Sequence, residues 1–403
     1  MSSTVTESDE PGLGTGGYTW PRGLRCVRCG ARTEPRYDTE GCLDCRARGI
    51  PSALLAEYDL SGLDGASLRR RWRARGEGMW SYRELLPIPP EHVVTMREGA
   101  TPLVELPGEG AHRSERVLVK DERRNPTGSF KDRFYSTAVS WAAWYGYETV
   151  ALASSGNAGV SAAAYGALAG LECVVVATPD IGEVWRGLVE LHGGRMLFAS
   201  DAAERWEILR GRAEEQGWAV LTNTSAVPVS SLWVGIEGYK TMAYEIVEDL
   251  GTAPEAVTVP VSRGDGFAGL WAGFRQLHDL GVIDRLPRMI AAERYPSLSV
   301  ALRDGLELPP EQEVDPDSLA VSIGNPQATV MSLRVLRESG GTAVVCSEEE
   351  LRSATAQLGR SGFAAELSSA ASLVAARRLR RNGTGDVVAL LTSRASHQPA
   401  AFR

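Results

Sequence analysis

From residue 116 onward, short apolar runs alternate with longer stretches whose apolar residues recur at helical spacing. The runs RVLVK, ETVALAS, ECVVVAT, RMLFAS, WAVLTN, AVTVPVS and RMIAAE predict strands, being rich in β-branched residues and bounded by Gly, Asn or Asp. Between them the spacing predicts helices over 129–146, 157–170, 183–193, 201–216, 231–250 and 267–280. Strands and helices in strict alternation imply parallel sheets covered by helices on both faces. In such α/β sheets ligands bind beyond the carboxyl ends of the strands, so functional residues are sought in the strand-to-helix turns.

The part of the chain before residue 116 reads differently. Residues 1–20 are rich in Gly, Ser, Thr and acids without an apolar period, and are expected to form a mobile tail. Residues 21–50 contain too few apolar side chains to build a core. Residues 51–115, with Trp72, Trp80 and the run LLPIPPEH, are expected to wrap over a larger body. Two α/β regions then follow, over 116–260 and 261–403.

Composition narrows the function classes. The 403 residues are 43% hydrophobic and 23% charged, enough for two cores or one large one. A net charge of -8 with scattered arginines opposes nucleic-acid binding. No apolar run approaches the roughly 20 residues needed to span a bilayer, and the acidic start is unlike a secretory signal. A cytoplasmic location and no membrane partner are therefore expected.

Four of the six cysteines, Cys26, Cys29, Cys42 and Cys45, form two CxxC pairs within residues 21–50. In a reducing compartment this spacing points to four thiolates around one structural zinc ion, a zinc ribbon, with the metal replacing the missing core. Cys173 and Cys346 lie alone in apolar runs and are expected to fill core.

Three turns carry chemistry. In NPTGSFKDR, residues 125–133, Lys131 stands at the start of a helix, where the positive end of the helix dipole favours a neutral amine. A solvated surface position is the ordinary fate of a lysine, so this turn alone decides little. In SSGNAG, residues 154–159, backbone N–H groups at a helix start suit a carboxylate, and Asn157 suits a hydroxyl; simple helix capping would use the same residues. In PVSRGDGFAG, residues 260–269, Gly264, Gly266 and Gly269 allow close backbone approach to a phosphate.

These turns in this order, with IEGYKTMAYEI, SIGNP, ELSSAASLVA and LLTS downstream, resemble the motifs of the threonine synthase family. That family belongs to the pyridoxal 5′-phosphate (PLP) enzymes of the tryptophan synthase β-chain fold, fold type II. The ribbon followed by YDL, GMWSYRELLP and REGATPLVEL resembles its longer bacterial members, and the likeness runs from about 24 to 395. The resemblance implies two parallel-sheet αβα domains, the first smaller and mobile. It implies that Lys131 carries the cofactor covalently and moves the substrate's α-proton, and that Asn157 meets the ring hydroxyl. Ser262, Arg263, Gly264, Asp265, Gly266 and Phe267 would cradle the phosphate, and Thr392 would bond the pyridine nitrogen. A hydroxyl there favours elimination and replacement over transamination. Ser154, Ser155, Gly156, Asn157 and Ala158 would hold the substrate carboxylate of a small amino acid. Arg186, Lys240, Thr127, Ser129, Asn223, Thr224 and Ser225 would be the remaining substrate donors. A homodimer is the usual assembly of this fold.

The sequence also departs from the family. Arg263 and Asp265 stand where neutral residues are usual, and Ala158 replaces a threonine. Gly235 occupies the place of an arginine that serves the substrate phosphate, which makes a substrate other than O-phosphohomoserine the expectation. Arg394 is either an anion contact or a surface residue, and His397, near the chain end, is expected to be exposed. Elimination or replacement at the β or γ carbon of an activated amino acid is the leading reading. A β-replacement synthase acting on activated serine, a threonine or serine dehydratase, and an inactive zinc-ribbon interaction protein are the alternatives.

Overall fold

The computed structural model describes residues 18–106 and 116–398, so most of the expected N-terminal tail lies outside the described residues. Three strands, β1 (Gly23–Cys26), β2 (Arg32–Thr33) and β3 (Leu54–Glu57), form an antiparallel sheet in the order β2-β1-β3. The ribbon thus borrows its third strand from beyond residue 50, because a two-residue β2 is too short to cover β1.

The remaining strands are β4 (Leu103–Leu106), β5 (Val117–Asp121), β6 (Thr149–Ala153), β7 (Glu172–Ala177), β8 (Arg195–Phe198), β9 (Ala219–Val220), β10 (Ala256–Pro260), β11 (Arg288–Glu293), β12 (Thr342–Val345) and β13 (Val387–Leu391). They build a parallel four-stranded sheet, β8-β7-β6-β9, and a six-stranded sheet, β12-β11-β10-β13-β5-β4, in which only β4 is antiparallel. The α/β reading holds. The division at 260 does not: β5 and β10 both belong to the larger sheet, so the four-stranded unit is an insertion between them. Strand spacing alone cannot reveal this, because a parallel sheet is assembled by crossovers of any length.

The central strands are buried on both faces, as Val174, Val175 and Val176 in β7 and Val388, Ala389 and Leu390 in β13 show. The segment 51–115 is more than a surface wrap. Trp72, Trp80, Leu85, Leu86 and Ile88 all enter the main core, and Trp72 stacks on Tyr244 with ring centroids 5.7 Å apart. The expected helix over 231–250 divides at Lys240 into Trp233–Tyr239 and Thr241–Leu250, and the following helix begins at Asp265. Cys173 and Cys346 are buried as expected. Among the described residues no helix is long and apolar enough to cross a membrane.

Candidate functional site

The carboxyl ends of β6, β10 and β13 and the start of helix Lys131–Trp144 surround one cavity of about 390 Å³. Lys131, the turn Ser154–Ala158, the turn Ser262–Phe267 and Thr392 all line it. Three turns separated by more than a hundred residues therefore converge on one lysine.

The residues following Lys131 explain how it is held. The Asp132 carboxylate accepts from Thr127 N at 2.7 Å and Ser161 Oγ at 2.7 Å, and burial pushes its pKa up to about 6 against those donors. Arg133, fully buried, forks onto Glu122 and Glu245 at 2.7 Å each, and Lys120 joins Glu245 at 2.8 Å. Removing one partner of such a buried cluster costs about 3–5 kcal/mol, so the first turn of the helix is firmly fixed. Lys131 itself has its Nζ 4.9 Å from the Phe130 ring centroid and 5.8 Å from that of Tyr239. Burial holds its pKa below the ordinary lysine value; the Asp265 carboxylate opposes this and Arg263 adds to it.

The turn after β10 presents backbone donors at a helix start. Gly264 has φ +97°, and helix Asp265–Asp279 starts immediately after it. Among the described residues, the backbone N–H groups of Gly264, Asp265, Gly266 and Phe267 donate to no protein group, while all four residues line the cavity. The Arg263 carbonyl is turned away and accepts from Thr329 Oγ1 at 2.6 Å and Ser332 Oγ at 2.8 Å. Asp265 is likewise occupied, its carboxylate accepting from Ser231 Oγ at 2.7 Å and Ser231 N at 3.2 Å.

Asn157 is fixed by three partners. Its Nδ2 donates to Glu366 Oε1 at 2.9 Å, and its Oδ1 faces Trp185 Nε1 at 3.2 Å and His397 Nδ1 at 2.7 Å. His397 is therefore buried, contrary to the expectation from its place near the chain end, because the segment Ala395–His397 folds back onto this network. Burial and the nearby Arg394 lower its pKa to about 4, so it is neutral near pH 7. Arg394 is tethered to the carbonyls of Arg123 and Asn125 and does not reach the cavity lining. Thr392 is held through its backbone, its N donating to Ser369 Oγ at 2.7 Å.

Several sequence-derived substrate donors lie elsewhere. Thr127 is bound to Asp132, and Ser129 is buried beside Ser393. Arg186 pairs with Glu190 on an exposed helix face. Lys240 is buried beside Glu237 and donates to the Leu85 carbonyl at 2.7 Å. Asn223, Thr224 and Ser225 stabilise their own loop, with Asn223 Nδ2 donating to the Ser225 carbonyl at 2.7 Å and the Thr224 carbonyl accepting from Arg210. Conversely, Arg205, Trp206 and Ser231 line the cavity without belonging to any motif, and Asn325 of the SIGNP motif lines it without having been assigned a role.

Gly235 cannot carry the family's arginine, because a Cβ there would lie 2.3 Å from a ring carbon of Phe134. Gly235→Arg is expected to lower the melting temperature by several degrees through overpacking, and to leave O-phosphohomoserine turnover without gain. Thermal unfolding monitored by circular dichroism checks this; an unchanged melting temperature would show that the contact yields easily.

A second cluster lies in the ribbon. The thiols of Cys26, Cys29, Cys42 and Cys45 are all within 4.8 Å of one another, with Cys26 to Cys45 and Cys29 to Cys42 at 3.7 Å. Thiolates at about 2.3 Å from a tetrahedral zinc stand about 3.7 Å apart, so this donor set fits the metal. Metal analysis of protein prepared without chelator is expected to give one zinc per chain, and chelation to lower the melting temperature. Six titratable thiols together with no metal would contradict it.

Comparison with known proteins agrees with this geometry. Residues 94–393 match the family model described as pyridoxal-phosphate dependent enzyme. The threonine synthase of Methanosarcina acetivorans is 32% identical over 366 residues, covering 88% of this chain and 86% of its own. That of Methanocaldococcus jannaschii is 29% identical over 393 residues, covering 94% and 93%. Among solved structures, maize serine racemase shares the fold with a TM-score of 0.62 at 16% identity, over 75% of this chain and 90% of its own. Threonine deaminase isoform 2 of Solanum lycopersicum does so with 0.62 at 18% identity, over 82% and 85%. The chain belongs to the pyridoxal-phosphate dependent enzymes of fold type II and is a lyase of the threonine-synthase-like group.

Proposed function

We propose that this cavity carries out elimination or replacement at the β or γ carbon of a small, activated amino acid, with PLP held at Lys131. The observation that carries the reading is the convergence on Lys131 of an anion-binding helix start, a second turn suited to a carboxylate, and a neutral hydroxyl at Thr392. The lining fits the cofactor. Unpartnered N–H groups from Gly264 to Phe267 suit its phosphate, the amine of Lys131 suits its carbonyl carbon, and Thr392 suits its ring nitrogen. When bound, PLP supplies an electron sink for charge developing at the substrate's α carbon.

The chain's own residues would do the rest. Lys131 Nζ, kept partly neutral by burial, accepts the α-proton and can return it at a neighbouring carbon. The turn 154–158 orients the substrate carboxylate at the start of helix Asn157–Ala169. Asn157, fixed by Glu366, Trp185 and His397, keeps its amide in one orientation toward the cavity. A neutral hydroxyl at Thr392 leaves the ring nitrogen without a proton donor as strong as a carboxylic acid. That moderates the electron sink, which supports elimination and replacement over transamination. Phe130 and Phe267 line the cavity and restrict water around the amine.

Cofactor-loaded enzyme incubated with phospho- and acetyl-activated serines and homoserines, with and without sulfur or amine nucleophiles, tests the reading by product mass. Release of the activating group to give a keto acid or a substituted amino acid is expected. Recovery of all substrates unchanged would refute it.

A further inference from the structure

Asn157 lines the cavity, but the three side chains that hold its carboxamide do not. Trp185 comes from helix Glu183–Leu191, Glu366 from the loop before helix Ala371–Arg381, and His397 from the last turn of the described chain. All four residues are buried. His397 is also packed against the turn that leads to Lys131. A Cβ on Gly128 would lie 3.1 Å from the imidazole Cε1, and the backbone N–H of Arg394 donates to the Gly128 carbonyl at 3.0 Å. One imidazole therefore touches two of the turns that meet at the cavity.

The contacts of this cluster force the placement of its protons. The Trp185 indole can only donate, so the Asn157 atom that faces it at 3.2 Å is the amide oxygen. The Nδ2 group then faces Glu366 Oε1 at 2.9 Å and donates to it. His397 Nδ1 stands 2.7 Å from the same amide oxygen, and two acceptors cannot share a hydrogen bond, so Nδ1 carries the proton of the neutral ring. Both lone-pair directions of the amide oxygen are thereby filled, and one Nδ2 hydrogen is spent on Glu366. What Asn157 has left for the cavity is a single N–H and no acceptor.

We propose that His397 is a positioning residue for the cofactor: by donating to Asn157 it fixes that amide as a donor alone, so that the cavity takes the ring oxygen of PLP in its ionised form. The inference rests on the PLP reading above and gives a role to a residue outside the cavity. An acceptor in place of the imidazole N–H would set its lone pair against the amide oxygen. Turning the amide over would then set that oxygen against Glu366 and an N–H against the indole N–H. Neither orientation satisfies every partner, and a buried polar cluster satisfied only in part holds its members poorly.

Titration of the apoenzyme with PLP, followed by visible absorbance, tests this with two substitutes of one shape. Asparagine can place an N–H close to where Nδ1 stands, whereas aspartate places an acceptor there. His397→Asn is expected to bind PLP within about threefold of the wild type, and His397→Asp at least about 10-fold more weakly. In an Asn157→Ala background the aspartate change is expected to add less than about twofold, because its effect runs through the amide. Equal affinities for the two substitutes, or a full loss in the Asn157→Ala background, would assign His397 to packing and overturn the inference. Nitrogen-15 NMR of the PLP-loaded wild type reads the tautomer without the aspartate variant having to fold, the His397 signals being those lost in His397→Asn. A proton on Nδ1 is expected, and a proton on Nε2 alone would overturn the inference. If the wild type takes up no PLP, the functional reading itself fails and the inference with it. Bound PLP with equal affinities for the two substitutes defeats the inference alone.

Discussion

Lys131→Ala is expected to reduce turnover by about a thousandfold or more, the largest effect of any single change in this chain. Among the described residues that line the cavity Lys131 carries the one amine, and its two neighbours spend their charge on structure. Asp132 holds Thr127 and Ser161, and Arg133 holds Glu122 and Glu245. Neither is free to replace it. Because burial lowers the lysine pKa, the neutral amine persists to lower pH than a solvated lysine would allow. The acidic limb of the wild-type rate profile should therefore lie below the usual lysine range. Single-turnover kinetics on the wild type and variant measure the loss; a variant within tenfold of the wild type would remove Lys131 from the chemistry.

Gly264→Ala is expected to raise the dissociation constant for PLP at least about tenfold while leaving the secondary structure intact. The residue sits at φ +97°, a backbone conformation that costs an alanine on the order of 1–2 kcal/mol. A Cβ there would also fall 1.8 Å from Ser332 Oγ, the group that holds the Arg263 carbonyl. The turn must open to admit it, and the N–H groups that follow lose their alignment. Fluorescence or absorbance titration of the apoenzyme with PLP reads this directly. Undiminished affinity would mean that the cofactor phosphate is held elsewhere.

Much of this was legible in the chain because the informative residues come in compact, ordered turns. Lys131 with its flanking Asp132 and Arg133, the SSGNA turn, and the glycines of 264–269 each announce a strand-to-helix junction by residue type alone. The cysteine spacing was equally readable, since two CxxC pairs close together in the chain are brought together by short local turns. What failed to show depends on tertiary approach. Arg205 and Trp206 sit in an ordinary charged helix, and only the packing of that helix on β6 and β9 turns them toward the cavity. Arg186 and Lys240 have the right charge, but one faces solvent and the other is buried beside Glu237. His397 was misread for the same reason: nearness to a terminus does not tell that the chain folds back onto Asn157.

The glycine at 235 points away from O-phosphohomoserine, and Phe134 closes that position to a larger side chain.

The measurement that bears most directly on the central claim is peptide mapping after borohydride reduction of the PLP-loaded enzyme. The account predicts the cofactor's mass on the peptide containing Lys131 and its disappearance in Lys131→Ala. Cofactor fixed on any other lysine, or none fixed in a protein that retains visible absorbance, would contradict it.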